Sequence, residues 1–372
     1  MEKYIEKNGK KLRYGYTTGS CAAAVSKACA IALFRGEILK SVNIDTPKGW
    51  LIDIDVYSMN VEGEFASAFV IKDGGDDPDM TNGMKIYAKV KKRTDNKIKI
   101  TGGIGIGKVT KPGLSVEIGK SAINPVPMKM IEEHVRQVIG EDGGVDIVIS
   151  APEGLAISKR TFNPKLGIIG GVSIIGTSGI VEPMSEDAII ETIKIELSVF
   201  KNTFPDRILL LSPGNYGRDF AIKLGLDTKD IIKTSNYIGF VIDEALRLGI
   251  KKILWVSHCG KMIKVAGGNF QTHSKMSDSR MEIIGAYLGT LGASAELIIK
   301  VLGANTTDEA IDIVSETEYM NVFEIIAKKC TDKCDGRAFG EIEFGTILFT
   351  NKHGQIGACD TGINFMEELI NA

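Results

Sequence analysis

The sequence has no surplus of basic residues, no long apolar run and no dense set of cysteines. Each absence removes a class of protein. Its 45 Lys and Arg stand against 47 Asp and Glu, a formal net charge of −2. The sequence pI is about 6.2, so the broad basic surface of a nucleic-acid-binding protein is not expected. No apolar stretch approaches the roughly 20 residues that a membrane-spanning helix needs. The opening MEKYIEKNGKKLRYG is charged and lacks the apolar core of a signal peptide, so a cytoplasmic location is expected. Six cysteines in 372 residues are too sparse for a disulfide framework and read as reduced thiols.

What is present suits a soluble enzyme. Hydrophobic residues make up 44% and charged residues 25%, and a length of 372 sets a prior of two or three domains, two being favoured. The 42 glycines gather in loops, which suits a backbone that approaches a large ligand at several points.

Residues 1–14 are polar and expected to be partly frayed. Gly15-Tyr16-Thr17-Thr18-Gly19-Ser20-Cys21 then reads as a hydroxyl-rich turn feeding an alanine-rich helix that stops at Gly36. The turn offers either caps or an anion site at the helix start. Strands are expected around 52–56, 65–71, 86–90 and 98–100, and a helix from Met128 to Ile139. Gly140 to Gly144 reads as a domain boundary. Beyond it, apolar strands at 145–150, 208–211 and 253–256 alternate with helices, as in a largely parallel, doubly wound sheet. The expected fold is therefore α/β. An α+β domain over residues 1–142 precedes a Rossmann-like domain over 143–372, with a helical C-terminal part and a small β-hairpin tail.

Thr161 to Ser185, TFNPKLGIIGGVSIIGTSGIVEPMS, stands out as an apolar run cut by glycines. It reads as a buried strand ending at Ile175, followed by the polar turn Gly176-Thr177-Ser178-Gly179. Ser212-Pro213-Gly214-Asn215 and Ser257-His258-Cys259-Gly260-Lys261 read as further strand-end loops, the latter opening a helix with basic residues. Ligands of open α/β sheets sit off such carboxyl ends.

Several tempting motifs fail on spacing. Four aspartates between Asp73 and Asp79 do not follow the EF-hand alternation. Gly102-Gly103-Ile104-Gly105-Ile106-Gly107 is not followed by the helix that a dinucleotide fingerprint requires. His258, Cys259 and His273 have irregular spacing and no fourth ligand for zinc.

Six collinear segments together resemble the cobalt-precorrin-5B C(1)-methyltransferase family of anaerobic cobalamin biosynthesis. They are Gly15–Cys21 with its alanine helix, KDGGDDPDMT (72–81), GGIGIGKVTKPGL (102–114), AINPVP (122–127), Thr161–Ser185, and the stretch from Gly260-Lys261 through Thr272-His273-Ser274 to Asp278 and Arg280. The likeness spans about residues 12–290. Ser257 and Cys259 stand where Gly and a small or proline residue are expected.

The resemblance implies transfer of a methyl group from S-adenosylmethionine to C-1 of cobalt-precorrin-5B, giving cobalt-precorrin-6A. Cobalt then belongs to the substrate and no protein metal site is expected. Such a displacement needs alignment more than side-chain chemistry. On this reading His258, His273 and Thr18 are the catalytic candidates. Gly176, Thr177, Ser178, Gly179, Gly214 and Asn215 bind the donor. Thr17, Ser20, Asp76, Lys261, Lys264, Ser274 and Arg280 meet the carboxylate-bearing tetrapyrrole. The tail after about residue 330 is not expected to hold reacting groups. A homo-oligomer is expected, with neighbouring pathway enzymes as further partners and no nucleic acid or membrane. Two alternatives compete. A nicotinamide-dependent tetrapyrrole reductase needs a glycine loop with an acidic residue about twenty positions on. A non-catalytic tetrapyrrole- or cobalt-binding protein would use His258, Cys259 and His273.

Overall fold

A computed structural model describes residues 3–7 and 9–371. The chain divides into two compact units, Met1–Glu186 and Asp187–Ala372. The first contains, in order, β1 (Tyr4–Lys7), β2 (Lys10–Arg13), β3 (Gly15–Tyr16), α1 (Thr18–Arg35), β4 (Ser41–Asp45), β5 (Leu51–Asp55), β6 (Tyr57–Glu62), β7 (Phe65–Ile71), β8 (Lys85–Arg93), β9 (Ile98–Gly102), β10 (Lys108–Val109), α2 (Pro125–Ile139), β11 (Gly144–Ser150), α3 (Gly154–Ser158), β12 (Ile168–Ile169) and β13 (Ile180–Val181). Part of the segment expected to be frayed is ordered: β1 and β2 pair antiparallel, Tyr4 opposite Arg13, while residues 1, 2 and 8 lie outside the described residues.

The main sheet of this unit has the order β6-β7-β8-β11-β9. Strand alternation decides what covers it. Ala66, Ala68 and Val70 of β7 and Ile86, Ala88 and Val90 of β8 point to the buried face. α1 packs there, and almost its whole circumference is buried. A helix of Ala, Cys and Val is thin, and alanines on the strands let it approach closely. The Cys29 thiol reaches the Ala88 carbonyl at 3.7 Å.

The boundary expected at 142/143 is displaced. β11 pairs antiparallel with β8, Gly144 opposite Arg93, and parallel with β9, Val145 opposite Ile98. A strand bonded along both edges belongs to its sheet, so the Gly140–Gly144 turn is a return from α2 and the division falls at 186/187. The buried strand expected to end at Ile175 is also absent. Val172 and Ile174 are buried, but they make only isolated bridges to Ile106 and Ile123. Glycines on either side break the run before a ladder can extend.

The second unit contains α4 (Glu186–Thr203), β14 (Leu209–Ser212), α5 (Tyr216–Lys223), β15 (Ile232–Lys233), α6 (Ile238–Arg247), β16 (Lys252–His258), α7 (Cys259–Ala266), α8 (Arg280–Thr290), α9 (Ala295–Leu302), α10 (Thr307–Ser315), α11 (Val322–Arg337), β17 (Glu343–Thr350), β18 (Gly354–Ala358) and α12 (Asp360–Ile370). Its sheet has the order β15-β14-β16-β17-β18. β14, β15, β16 and β17 are parallel, and β18 closes one edge antiparallel. Both faces are covered, which explains the unbroken apolar strands. Ile253 and Trp255 of β16 enter one core with α4, α6, α7, α8 and α11. Leu254 and Val256 enter another, with Phe220 of α5 and Phe365 of α12. β17 and β18 form the expected hairpin, and β17 joins it to the sheet by pairing parallel with β16. Among the described residues no helix is long and apolar enough to cross a membrane.

The close seat of α1 is testable. Ala88→Leu should lower stability by about 1–3 kcal/mol, the usual cost of overpacking. Urea unfolding checks it; an unchanged midpoint would mean that α1 is loosely seated.

Candidate functional site

The expected site residues fall in both units. In the first they meet at the start of α1. Thr17 is its N-cap, and its Oγ1 accepts from the Ser20 N–H at 3.2 Å. Ser20 Oγ donates to the Gly179 carbonyl at 2.6 Å. Thr18 Oγ1 accepts from the Ile175 N–H at 2.8 Å and turns its hydrogen toward the Ile175 and Ser173 carbonyls. The N–H groups of Thr17 and Gly19 are taken by the carbonyls of Gly179 and Ile175. The 175–179 loop therefore plugs the helix start. Gly176 has φ +136°, and a Cβ there would lie 2.3 Å from Thr17 Oγ1. A helix buried this deeply must satisfy its leading N–H groups, and this loop does so.

Of the two readings of this turn, caps or an anion site, the bonds favour caps. Thr17, Thr18 and Ser20 are buried and their hydroxyls are bonded within the chain. Ser178 Oγ is turned to the Ile180 carbonyl, and only Thr177 projects an exposed side chain from the turn. Asp76 is likewise committed: its carboxylate accepts from the Arg13 N–H at 2.6 Å. Asp73 meets the Arg13 guanidinium in two bonds, 2.5 and 2.7 Å. That pair holds the Asp73 carboxyl below its ordinary range. Lys72, buried, pairs with Asp79. Burial pushes the Asp79 carboxyl up, but the Lys72 ammonium and bonds from Lys72 and Thr81 outweigh this and hold it low. The aspartates are braces. Among the described residues no group of three or more His, Cys, Asp or Glu could hold a metal ion.

In the second unit the candidates lie off the carboxyl ends of β14 and β16. Gly214 has open space where a Cβ would stand, and exposed Asn215 makes no capping bond. His258 ends β16 and caps α7, its Nδ1 accepting from the Gly260 N–H at 3.2 Å. That bond assigns the proton to Nε2. Nε2 has no protein partner among the described residues. Burial, and then Lys261, lower the imidazole pKa against the opposing pull of Asp308. The neutral ring lies 6.4 Å from that of Tyr216 and 5.6 Å, edge-on, from that of Phe349. His258 thus presents a fixed N–H donor.

The lysines differ from expectation. Lys261 Nζ donates to the Pro213 carbonyl and Asn236 Oδ1, each at 2.8 Å. Lys264 Nζ donates to the carbonyls of Thr272 at 3.1 Å and Ser277 at 2.8 Å. Burial lowers both pKa values. They staple loop ends and have little left for a substrate carboxylate. Arg280 is held in two bonds by Asp278 and reaches Thr307 Oγ1 at 3.3 Å. His273 and Ser274 are exposed on the loop before α8, and His273 Nδ1 accepts from the Lys275 N–H. Cys259 is wholly buried, and its thiol is pushed well up by burial, so the His258-Cys259 pair offers no thiolate.

A recess of about 370 Å³ is lined by Tyr216, Asp219, Phe220, Lys223, Thr350, Asn351 and Gly354; His258 is not in its lining, but its ring lies near the Tyr216 wall. Sequence reasoning missed the lining residues. Tyr216 directly follows Gly214-Asn215, which was a usable signal. Thr350 and Asn351 were set aside with the tail, although the apolar run of β17 has the pattern of a buried parallel strand.

Residues 5–183 match the family model described as CbiD, and residues 271–360 match that described as CbiD, C-terminal domain. The cobalt-precorrin-5B C(1)-methyltransferase of Alkaliphilus metalliredigens is 50% identical over 370 residues, covering 99% of this chain and 98% of its own. The chain belongs to this family. The protein of that name from Thermoanaerobacter sp. is 46% identical, with coverages of 96% and 98%. A 1.9 Å crystal structure of cobalamin biosynthesis protein (cbiD) from Archaeoglobus fulgidus is 27% identical, covering 73% of this chain and 86% of that one. Its TM-score of 0.39 is too low to define the architecture of this CbiD chain.

The buried pair of the acidic loop yields a prediction with a sign. Asp79→Asn leaves Lys72 buried without a counter-charge, which costs on the order of 3–5 kcal/mol. The Asp79 pKa is depressed on folding, so the contribution is present above the unfolded value of about 3.9. It fades as pH falls through the lower folded value. Wild type and variant should therefore differ most near neutrality and converge in acid, as followed by thermal melts across pH. A gap independent of pH would contradict the pairing.

Proposed function

We propose that this chain is a cobalt-precorrin-5B C(1)-methyltransferase, making cobalt-precorrin-6A in the anaerobic, early-cobalt route to cobalamin. The observation that carries the proposal is near-full-length identity of 50% to a protein of that name. Methyl donation points to S-adenosylmethionine, which when bound supplies an electrophilic sulfonium carbon to an electron-rich ring carbon.

We place the donor in the second unit and read that unit as a Rossmann-like, doubly wound domain. Counted from β14, its strands run 2-1-3-4-5, an order whose switch point lies between β14 and β16. The open backbone at Gly214, the uncommitted Asn215 and the His258 Nε2–H surround that point. The recess is in the size range of small-molecule sites, and exposed Tyr216 offers it an aromatic wall. Lys261 acts indirectly, tying the β14 and β15 loop ends to α7 so that the rim is rigid before ligand arrives. His258 orients the ligand by donating a hydrogen bond and takes no proton from it, because its acceptor nitrogen is occupied by Gly260. The first-unit turn Gly176–Gly179 supports α1 on this reading and is not the donor cradle.

Turnover of cobalt-precorrin-5B with carbon-labelled S-adenosylmethionine tests the activity. Label should appear on one ring carbon; bound substrate without label would sink the proposal. His258→Ala should lower kcat/KM about tenfold, the scale of one lost hydrogen bond, and the loss of the α7 cap should lower the melting temperature by a few degrees at most. Because the His258 pKa is lowered, wild-type activity should hold through the ordinary histidine range and fall only in stronger acid, where a proton on Nδ1 displaces the Gly260 N–H and releases the ring from its fixed orientation. That acid limb should vanish in the variant; its persistence would assign the titration to another group.

A further inference from the structure

The glycine repeat at 102–107 is not a nucleotide loop, yet it is the meeting point of three segments of the first unit. The Gly105 carbonyl oxygen lies 2.1 Å from where a Cβ would stand on Gly154, and 2.1 Å from where one would stand on Gly171. A Cβ on Gly105 itself would fall 1.7 Å from the Ala151 carbonyl oxygen. No side chain fits among these backbones, so the three segments are locked together. Beside each contact stands a large aliphatic residue left in solvent: Ile104 is 74% exposed, Leu155 55% and Ile169 62%. Single exposed aliphatics are ordinary; here three stand within two residues of one backbone junction, which gathers apolar surface around it.

The charge around the patch has one sign. Lys108 stands directly across the β10–β12 ladder from Ile169, on the same exposed face. Lys159 follows Leu155 by four residues along α3, with a helical backbone at its own position, and so shares its face. Arg160 comes next. None of the three has an ion-pair partner among the described residues. Across 102–121 and 151–171 the sequence holds six Lys and Arg against two Asp and Glu. Glu153, one of those two, is bonded to the Lys85 N–H.

An apolar floor with a cationic rim is complementary to a broad ring carrying carboxylates at its edge. We propose that this junction is the platform for the polycarboxylate tetrapyrrole, with Ile104, Leu155 and Ile169 under the ring face and Lys108, Lys159 and Arg160 meeting its carboxylates. The proposal rests on the methyltransferase reading for the identity of its ligand. Ile104, Lys108 and Ile169 lie in segments that carry the family likeness, but none of the six residues was among the expected site residues.

The test uses the full chain and two readouts. Ile104→Ser/Ile169→Ser should raise the KM for cobalt-precorrin-5B about tenfold and leave the KM for S-adenosylmethionine unchanged. Both residues are exposed, so the melting temperature should hold. In the second readout, uroporphyrin III, an octacarboxylate tetrapyrrole, is titrated by absorbance at increasing salt. Wild type should bind it and lose affinity steeply with salt; Lys108→Gln/Lys159→Gln/Arg160→Gln should bind more weakly with a shallower slope. Wild-type values for both variants in both readouts would overturn the platform, as would a shift confined to the donor KM. If wild type transfers no label, the methyltransferase reading fails, and the uroporphyrin titration alone still decides the platform.

Discussion

The first unit depends on how the start of α1 is closed. A helix of small residues buried on nearly every side gains its packing from close approach to β7 and β8, but it carries unsatisfied N–H groups into a place without water. Carbonyls from Ile175 and Gly179 fill that need, with the Ser20 hydroxyl adding a third bond at 2.6 Å. The contact between Thr17 and Gly176 leaves no room for a Cβ. On the other side of the turn, the Tyr16 N–H reaches the Asp73 carbonyl, and Arg13 is gripped by Asp73 and Asp76. The hydroxyl turn, the acidic loop and the 175–179 loop are thus one knot. Their residue types look like ligand chemistry because capping and ligand binding draw on the same hydroxyls, carboxylates and glycines.

The second unit depends on a different constraint. A parallel sheet covered on both faces leaves its strand ends as the open ground. There Lys261 and Lys264 spend their ammonium groups on loop carbonyls, which fixes the rim on which His258 stands. The Gly260 N–H holds one imidazole nitrogen, and burial keeps the ring neutral. The arrangement suits a reaction that needs alignment rather than proton transfer.

Much of the fold was legible. The alanine run closed by Gly36 marked α1, the alternation of β5 and β7 marked half-buried strands, and the apolar run 253–256 marked the parallel sheet. The boundary at Gly140–Gly144 was misread because a glycine-rich return and a linker have the same composition; only the pairing of β11 on both edges separates them. The hairpin of β17 and β18 was legible from the turn at 351–353, but the parallel pairing of β17 with β16, some ninety residues away, was not. The site was less legible. His258 and Asn215 stand where strand-end reasoning put them. For Thr17, Thr18, Ser20, Asp76, Lys261 and Lys264 the sequence displays a polar group but not its partner, and each is taken by the chain itself.

The central claim is that the donor meets the strand ends of the second unit while the glycine turn at 176–179 is structural. Hydrogen–deuterium exchange of the full chain with and without S-adenosylhomocysteine tests it most directly. The account predicts added protection over residues 212–220 and 257–262 and none over 173–180. Protection confined to 173–180 would contradict it and return the donor to the turn above α1.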